Sequence, residues 1–75
     1  MREKLYEGIY LKLANDIRTG FLKAGTRLPS IRRQAEENGV SRNTVIGAYS
    51  LLIAEGYIIS KEKSGYFAAE FETPS

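Results

Sequence analysis

The sequence contains neither cysteine nor histidine. That pair of absences excludes disulfides, thiol chemistry, zinc-finger ligation and every catalytic triad or metal site that needs imidazole. Packing alone must hold the fold. No apolar run approaches the roughly 18 residues of a membrane span, and the start, Met-Arg-Glu-Lys-Leu-Tyr, lacks the apolar stretch of a secretory signal. The expectation is a cytoplasmic protein with no membrane partner. A glycine-rich phosphate loop is missing too, and Asp16, Glu36, Glu37 and Glu55 read as solvated helix faces rather than an acid/base pair. A chain of 75 residues buries only about 60% of its unfolded surface, which leaves room for one small domain and no deep cleft. An enzyme is not expected, and no residue set here would hold a cofactor.

What is present is the composition of a folding domain, with 43% hydrophobic and 27% charged residues, so extended disorder is not expected away from the ends. The net charge of +2 conceals an uneven distribution. Lys23, Arg27, Arg32, Arg33 and Arg42 fall in one stretch against Glu36 and Glu37, while Glu70 and Glu72 lie in the tail. A local basic cluster of this kind suits an acidic partner.

Leu5, Ile9, Leu13 and Ile17 recur at four-residue spacing, which predicts an amphipathic helix from about Lys4 to Thr19, with Gly20 as a left-handed stop. The stretch Phe21 to Pro29 is too short and too punctuated for another helix; it reads as a connector, with room for a short strand near Arg27 and Leu28. Ser30 is an N-cap for a second helix from Ile31, ended by Gly39, and Ser41 is an N-cap for a third from Arg42, closed by Gly56. In the third, Val45, Ala48, Tyr49 and Leu52 form the core stripe, and Asn43, Gly47, Ser50 and Ala54 lie opposite as a slim polar face. Two helices joined by Gly39-Val40-Ser41 make a helix-turn-helix. Tyr57 to Ser60 and Tyr66 to Ala69 then predict a β-hairpin with a charged tip that ends in Gly65.

The fold class expected is mainly α with a small β-hairpin, a three-helix winged helix-turn-helix over 1–69, with 70–75 as a linker or the cut end of a longer chain. That layout reads nucleic acid. A helix entering a major groove about 12 Å wide needs slim side chains along its body and hydrogen-bonding groups near its N-terminus. Ser41, Arg42, Asn43 and Thr44 stand there. Arg42 can fork onto guanine or clamp a phosphate, Asn43 can pair with adenine, and the Ser41 and Thr44 hydroxyls can bond phosphates or base edges. Arg32 and Arg33 sit in the first turn of the second helix, where positive charge opposes the macrodipole and favours a bound phosphate. Pairing of Arg32 with Glu36 and of Arg33 with Glu37 is the alternative use of both. Lys61, Lys63 and Gly65 in the hairpin tip suit a phosphate or the minor groove, and a solvated turn accounts for the two lysines nearly as well.

The run Gly25-Thr26-Arg27-Leu28-Pro29-Ser30, then Gly39-Val40-Ser41-Arg42-Asn43-Thr44-Val45 and Glu55-Gly56-Tyr57-Ile58, closely resembles the DNA-binding domain of GntR-family bacterial transcription regulators. The resemblance covers residues 4–69. It implies a winged-helix head that binds a double-stranded DNA operator, as a homodimer held by a C-terminal effector domain in the full-length protein. One subgroup of the family fuses such a head to an aminotransferase-like domain that binds pyridoxal phosphate, and nothing in these residues can bind that cofactor. Two DNA-contacting arginines of the family map to Arg32 and Arg42. At the place of a third stands Ile46, and Lys63 stands where the family has a wing-tip glycine. Ile46 can pack on a thymine methyl or at the edge of the core. A protein-docking winged helix using Ile46, Leu51 and Ile53 is the competing reading.

Overall fold

Two serines start the central helices. In the computed structural model, which describes residues 5–70, Ser30 and Ser41 have extended backbone, and their hydroxyls accept from the N–H groups of Arg33 at 3.1 Å and Thr44 at 3.2 Å. Each cap satisfies one of the donors that a helix leaves free at its N-terminus. The helices are α1 (Leu5–Arg18), α2 (Ile31–Asn38) and α3 (Arg42–Ala54), followed by β1 (Ile58–Lys61) and β2 (Gly65–Ala68). The predicted first position of α1, Lys4, and all but Glu70 of the predicted tail lie outside the described residues.

Between α2 and α3 the reversal rests on Gly39, whose φ of 64° and ψ of 34° place it in the left-handed region. The Val40 N–H then donates to the Ala35 carbonyl at 3.0 Å, closing α2 and leaving Ser41 free to cap α3. Helix α3 is the axis of the core. Val45, Ala48, Tyr49 and Leu52 are all at most 1% exposed, and they meet Ile9, Leu13 and Ile17 of α1, Ala35 of α2, and Ile58 and Ala68 of the hairpin. The stripe predicted from spacing is thus the buried stripe.

The hairpin pairs Ile58 with Ala68, Ile59 with Phe67, Ser60 with Tyr66 and Lys61 with Gly65. Both strands sit one residue nearer the tip than expected, gaining Lys61 and Gly65 and losing Tyr57 and Ala69, although the Ala69 N–H still donates to the Tyr57 carbonyl at 2.8 Å. At the tip Lys63 has a φ of 69°, a conformation that costs a residue with a Cβ about 1–2 kcal/mol. The connector joins the sheet: Arg27 bridges Phe67, and Leu28 N–H donates to the Tyr66 carbonyl at 2.8 Å. The short strand foreseen near Arg27 and Leu28 is this single bridge.

A buried polar chain fixes the connector to the helices. The Tyr49 hydroxyl donates to the Pro29 carbonyl at 2.8 Å and accepts from Gln34 Nε2 at 3.0 Å, while Asn38 Nδ2 donates to Gln34 Oε1. The Tyr49 ring also meets Tyr66 edge-on, with centroids 4.9 Å apart. One side chain therefore links α3, the start of α2 and the wing. Burial pushes the Tyr49 phenol above its ordinary value, against a smaller lowering by the Gln34 hydrogen bond.

Candidate nucleic-acid interface

The first turn of α3 projects from the body. Ser41, Arg42 and Asn43 are exposed and Thr44 is half-buried, its hydroxyl 3.0 Å from that of Ser41. Among the described residues no carboxylate pairs with Arg42. A cation in a helix's first turn is unfavourable to the helix, and among the described residues no ion pair offsets it.

Arg32 and Arg42 converge, from two helices, on a concavity of about 450 Å³ that Ala35, Glu36 and Val40 complete. The tight Gly39-Val40-Ser41 turn is what sets the two helix starts side by side. Both arginines of α2 form the ion pairs foreseen for them, Arg32 with Glu36 at 3.5 Å and Arg33 with Glu37 at 3.0 Å. All four side chains are more than half exposed, and surface pairs at this spacing contribute about 0.3–0.5 kcal/mol. A phosphate can displace either carboxylate at that cost. Arg33 faces a different hollow, shared with Arg27, Ser30 and Glu37, so the two neighbours serve separate surfaces.

The slim face of α3 has a second use that its spacing did not reveal. Gly47, Ser50, Leu51 and Ala54 line a shallow groove of about 420 Å³ with Tyr6 of α1, and a Cβ at Gly47 would meet the Tyr6 Cβ at 3.9 Å. Gly47, Ser50 and Ala54 remain exposed on that flank, with Tyr6 of α1 beside them. Ile46 lies outside the buried core cluster and is 44% exposed. Ile53 is 40% exposed, whereas Leu51 is half-buried in the groove beside Tyr6.

In the wing, Lys61 and Lys63 are exposed, and Lys61 Nζ stands 5.1 Å from the Phe67 ring centroid. Arg27 belongs to the connector that precedes α2. The structure lays its guanidinium against Gly65, where an added Cβ would come within 3.3 Å of Arg27 Nε. The composition showed Arg27 as part of the basic cluster, but its place beside the wing depends on a pairing between segments 40 residues apart.

Three helices with a tight turn between the last two, followed by a two-stranded hairpin on the same core, define a winged helix-turn-helix domain. The profile of bacterial regulatory proteins of the gntR family matches residues 5–67, and the chain belongs to that family. That family is one of bacterial regulatory proteins. The chain is 51% identical over 65 residues to the probable rhizopine catabolism regulatory protein MocR of Rhizobium meliloti, covering 87% of this chain and 13% of that protein. It is 47% identical over 68 residues to the HTH-type transcriptional regulator YhdI of Bacillus subtilis, covering 91% of this chain and 14% of that one. The chain thus spans about one-seventh of the length of these relatives. Among solved structures it is similar to the AraR DNA-binding domain in complex with operator ORX1, with a TM-score of 0.81 and 25% identity over 87% of this chain and 78% of that one. Among the described residues no helix is long and apolar enough to cross a membrane.

Proposed function

We propose that this chain is the DNA-binding head of a bacterial transcription regulator and recognises double-stranded operator DNA by sequence, with the N-terminal turn of α3 in the major groove and the hairpin alongside. The observation that carries this reading is the convergence of Arg32 and Arg42 on one concavity at two helix starts, with no ion pair at Arg42 among the described residues. In this reading Arg42 and Asn43 read base edges, Arg32, Arg33, Ser41 and Thr44 hold phosphates, and Ile46 meets a thymine methyl. Lys61, Lys63 and Gly65 approach the backbone from the wing. The AraR complexes supply a precedent for an operator on this fold. The full-length protein acts in the cytoplasm as a homodimer, which spaces two such heads one helical turn apart, about 34–36 Å.

Docking of another protein on Ile46, Leu51 and Ile53 is less well supported. Ile46 and Ile53 share an exposed face at a spacing of seven residues, but Leu51 turns toward Tyr6. Anisotropy titrations with duplex DNA from low to moderate salt separate the readings. Several phosphate contacts give a log-log salt slope of about −0.9 each. A flat salt response removes the DNA reading.

A further inference from the structure

The wing sheet has two unlike faces. Ile58, Ala68, Ser60 and Tyr66 make one, with Ile58 and Ala68 buried and Tyr66 packed against the core. Alternation puts Ile59, Phe67, Lys61 and Gly65 on the other, where Ile59 is 43% exposed. Because Arg27 bridges Phe67, it joins this outer face from the far side of β2. Gly65 then lies between two cations, Lys61 as its direct partner in β1 and the Arg27 guanidinium against its α-carbon.

Arg27 differs from the arginines of α2. It is exposed and, among the described residues, makes no ion pair and no side-chain hydrogen bond. Its guanidinium is nonetheless placed against a glycine, so the charge has a fixed position without an ion-pair partner. The missing side chain at Gly65 leaves the room that the Arg27 guanidinium fills, which sets its charge beside the strand across from Lys61. Two strand spacings, about 10 Å, separate the strand that carries Lys61 from the segment that carries Arg27.

We infer that Arg27 is a phosphate-contacting residue of the DNA interface, seated at the root of the wing and paired with Lys61 across Gly65. This rests on the DNA-binding reading above. The contact ties the duplex to the sheet's outer face and carries no base preference.

The test measures log affinity against log salt for Arg27→Gln and Arg27→Lys, on matched and scrambled duplexes, with Lys12→Gln on the exposed side of α1 as a control for net charge. Arg27→Gln should weaken both duplexes by the same factor and make the slope shallower by about 0.9. The advantage of the unsubstituted chain over Arg27→Gln then shrinks about 3.5-fold between roughly 50 and 200 mM salt. Arg27→Lys should keep the slope, Lys12→Gln should leave it unchanged, and the melting temperature should hold in all three. An unchanged slope in Arg27→Gln, beside a steep one in the unsubstituted chain, overturns the Arg27 contact and leaves the DNA reading standing. So does an equal loss in Lys12→Gln, or a lowered melting temperature in Arg27→Gln that accounts for the weaker binding. A flat response in the unsubstituted chain overturns both.

Discussion

Removing one oxygen from Tyr49 probes the joint on which the interface depends. Tyr49→Phe keeps the ring, which is 1% exposed, and with it the contacts to the core and to Tyr66. It leaves the Pro29 carbonyl and Gln34 Nε2 without the hydroxyl that now serves both, at 2.8 and 3.0 Å. A buried polar group left unsatisfied costs about 1–3 kcal/mol. Pro29 is half-buried, so water can recover part of its loss, while Gln34 is only 8% exposed and bears more of it. The sum comes to about 2 kcal/mol. In a domain of this size each kcal/mol lowers the melting temperature by about 4–8 °C, so a drop of roughly 8–16 °C is expected by circular dichroism at neutral pH. The sign of the pH dependence follows from the raised phenol pKa. The folded state holds the Tyr49 proton more tightly than the unfolded chain, so this stability is complete below about pH 10, the ordinary tyrosine value, and is lost as pH rises through the folded-state pKa. Tyr49→Phe should therefore show a weaker loss of stability above pH 10 than the unsubstituted chain. A drop in melting temperature below about 3 °C would refute the idea that this hydroxyl fixes the connector to α2 and α3.

Arg32→Ala should weaken matched and scrambled duplexes alike, whereas Arg42→Ala and Asn43→Ala should cost about 1–3 kcal/mol on the matched duplex alone, as read by parallel anisotropy titrations. Ile46→Ala should leave stability within about 0.5 kcal/mol, since the side chain lies outside the core, and should reduce discrimination between thymine and uracil at one operator position. A large fall in melting temperature with the thymine preference intact would count against it. Lys63→Gly should raise stability by up to about 1 kcal/mol in denaturant unfolding, because Lys63 occupies a left-handed conformation that glycine adopts without strain. A loss of stability would show that the lysine side chain compensates for its backbone.

The helices were legible because each is specified locally. Four-residue spacing places Ile9, Leu13 and Ile17, serine caps start α2 and α3, and Gly39 takes the left-handed turn its position calls for. The same holds for the α2 ion pairs, which need only a spacing of four. What escaped depends on contacts between distant segments. Nothing local to Arg27 says that it bridges Phe67, and nothing local to Gly47 says that Tyr6 lies beside it. The strand ends moved by one residue because Lys61 pairs with Gly65 at the tip, while Tyr57 and Ala69 keep a hydrogen bond without forming a ladder pair. Of the site, the residues at the two helix starts were legible from capping and charge. Their meeting at one concavity was not, since it depends on how α2 and α3 pack together.

Selection from a pool of randomised DNA duplexes, followed by titration of the enriched sequence with the unsubstituted chain and with Arg42→Ala, tests the central claim most directly. A short motif should be enriched, and the unsubstituted chain should prefer it over scrambled duplex by a margin that Arg42→Ala cuts about 5- to 150-fold, the equivalent of one good base contact. A pool that stays random through successive rounds, or equal affinity for enriched and scrambled duplex, would contradict it.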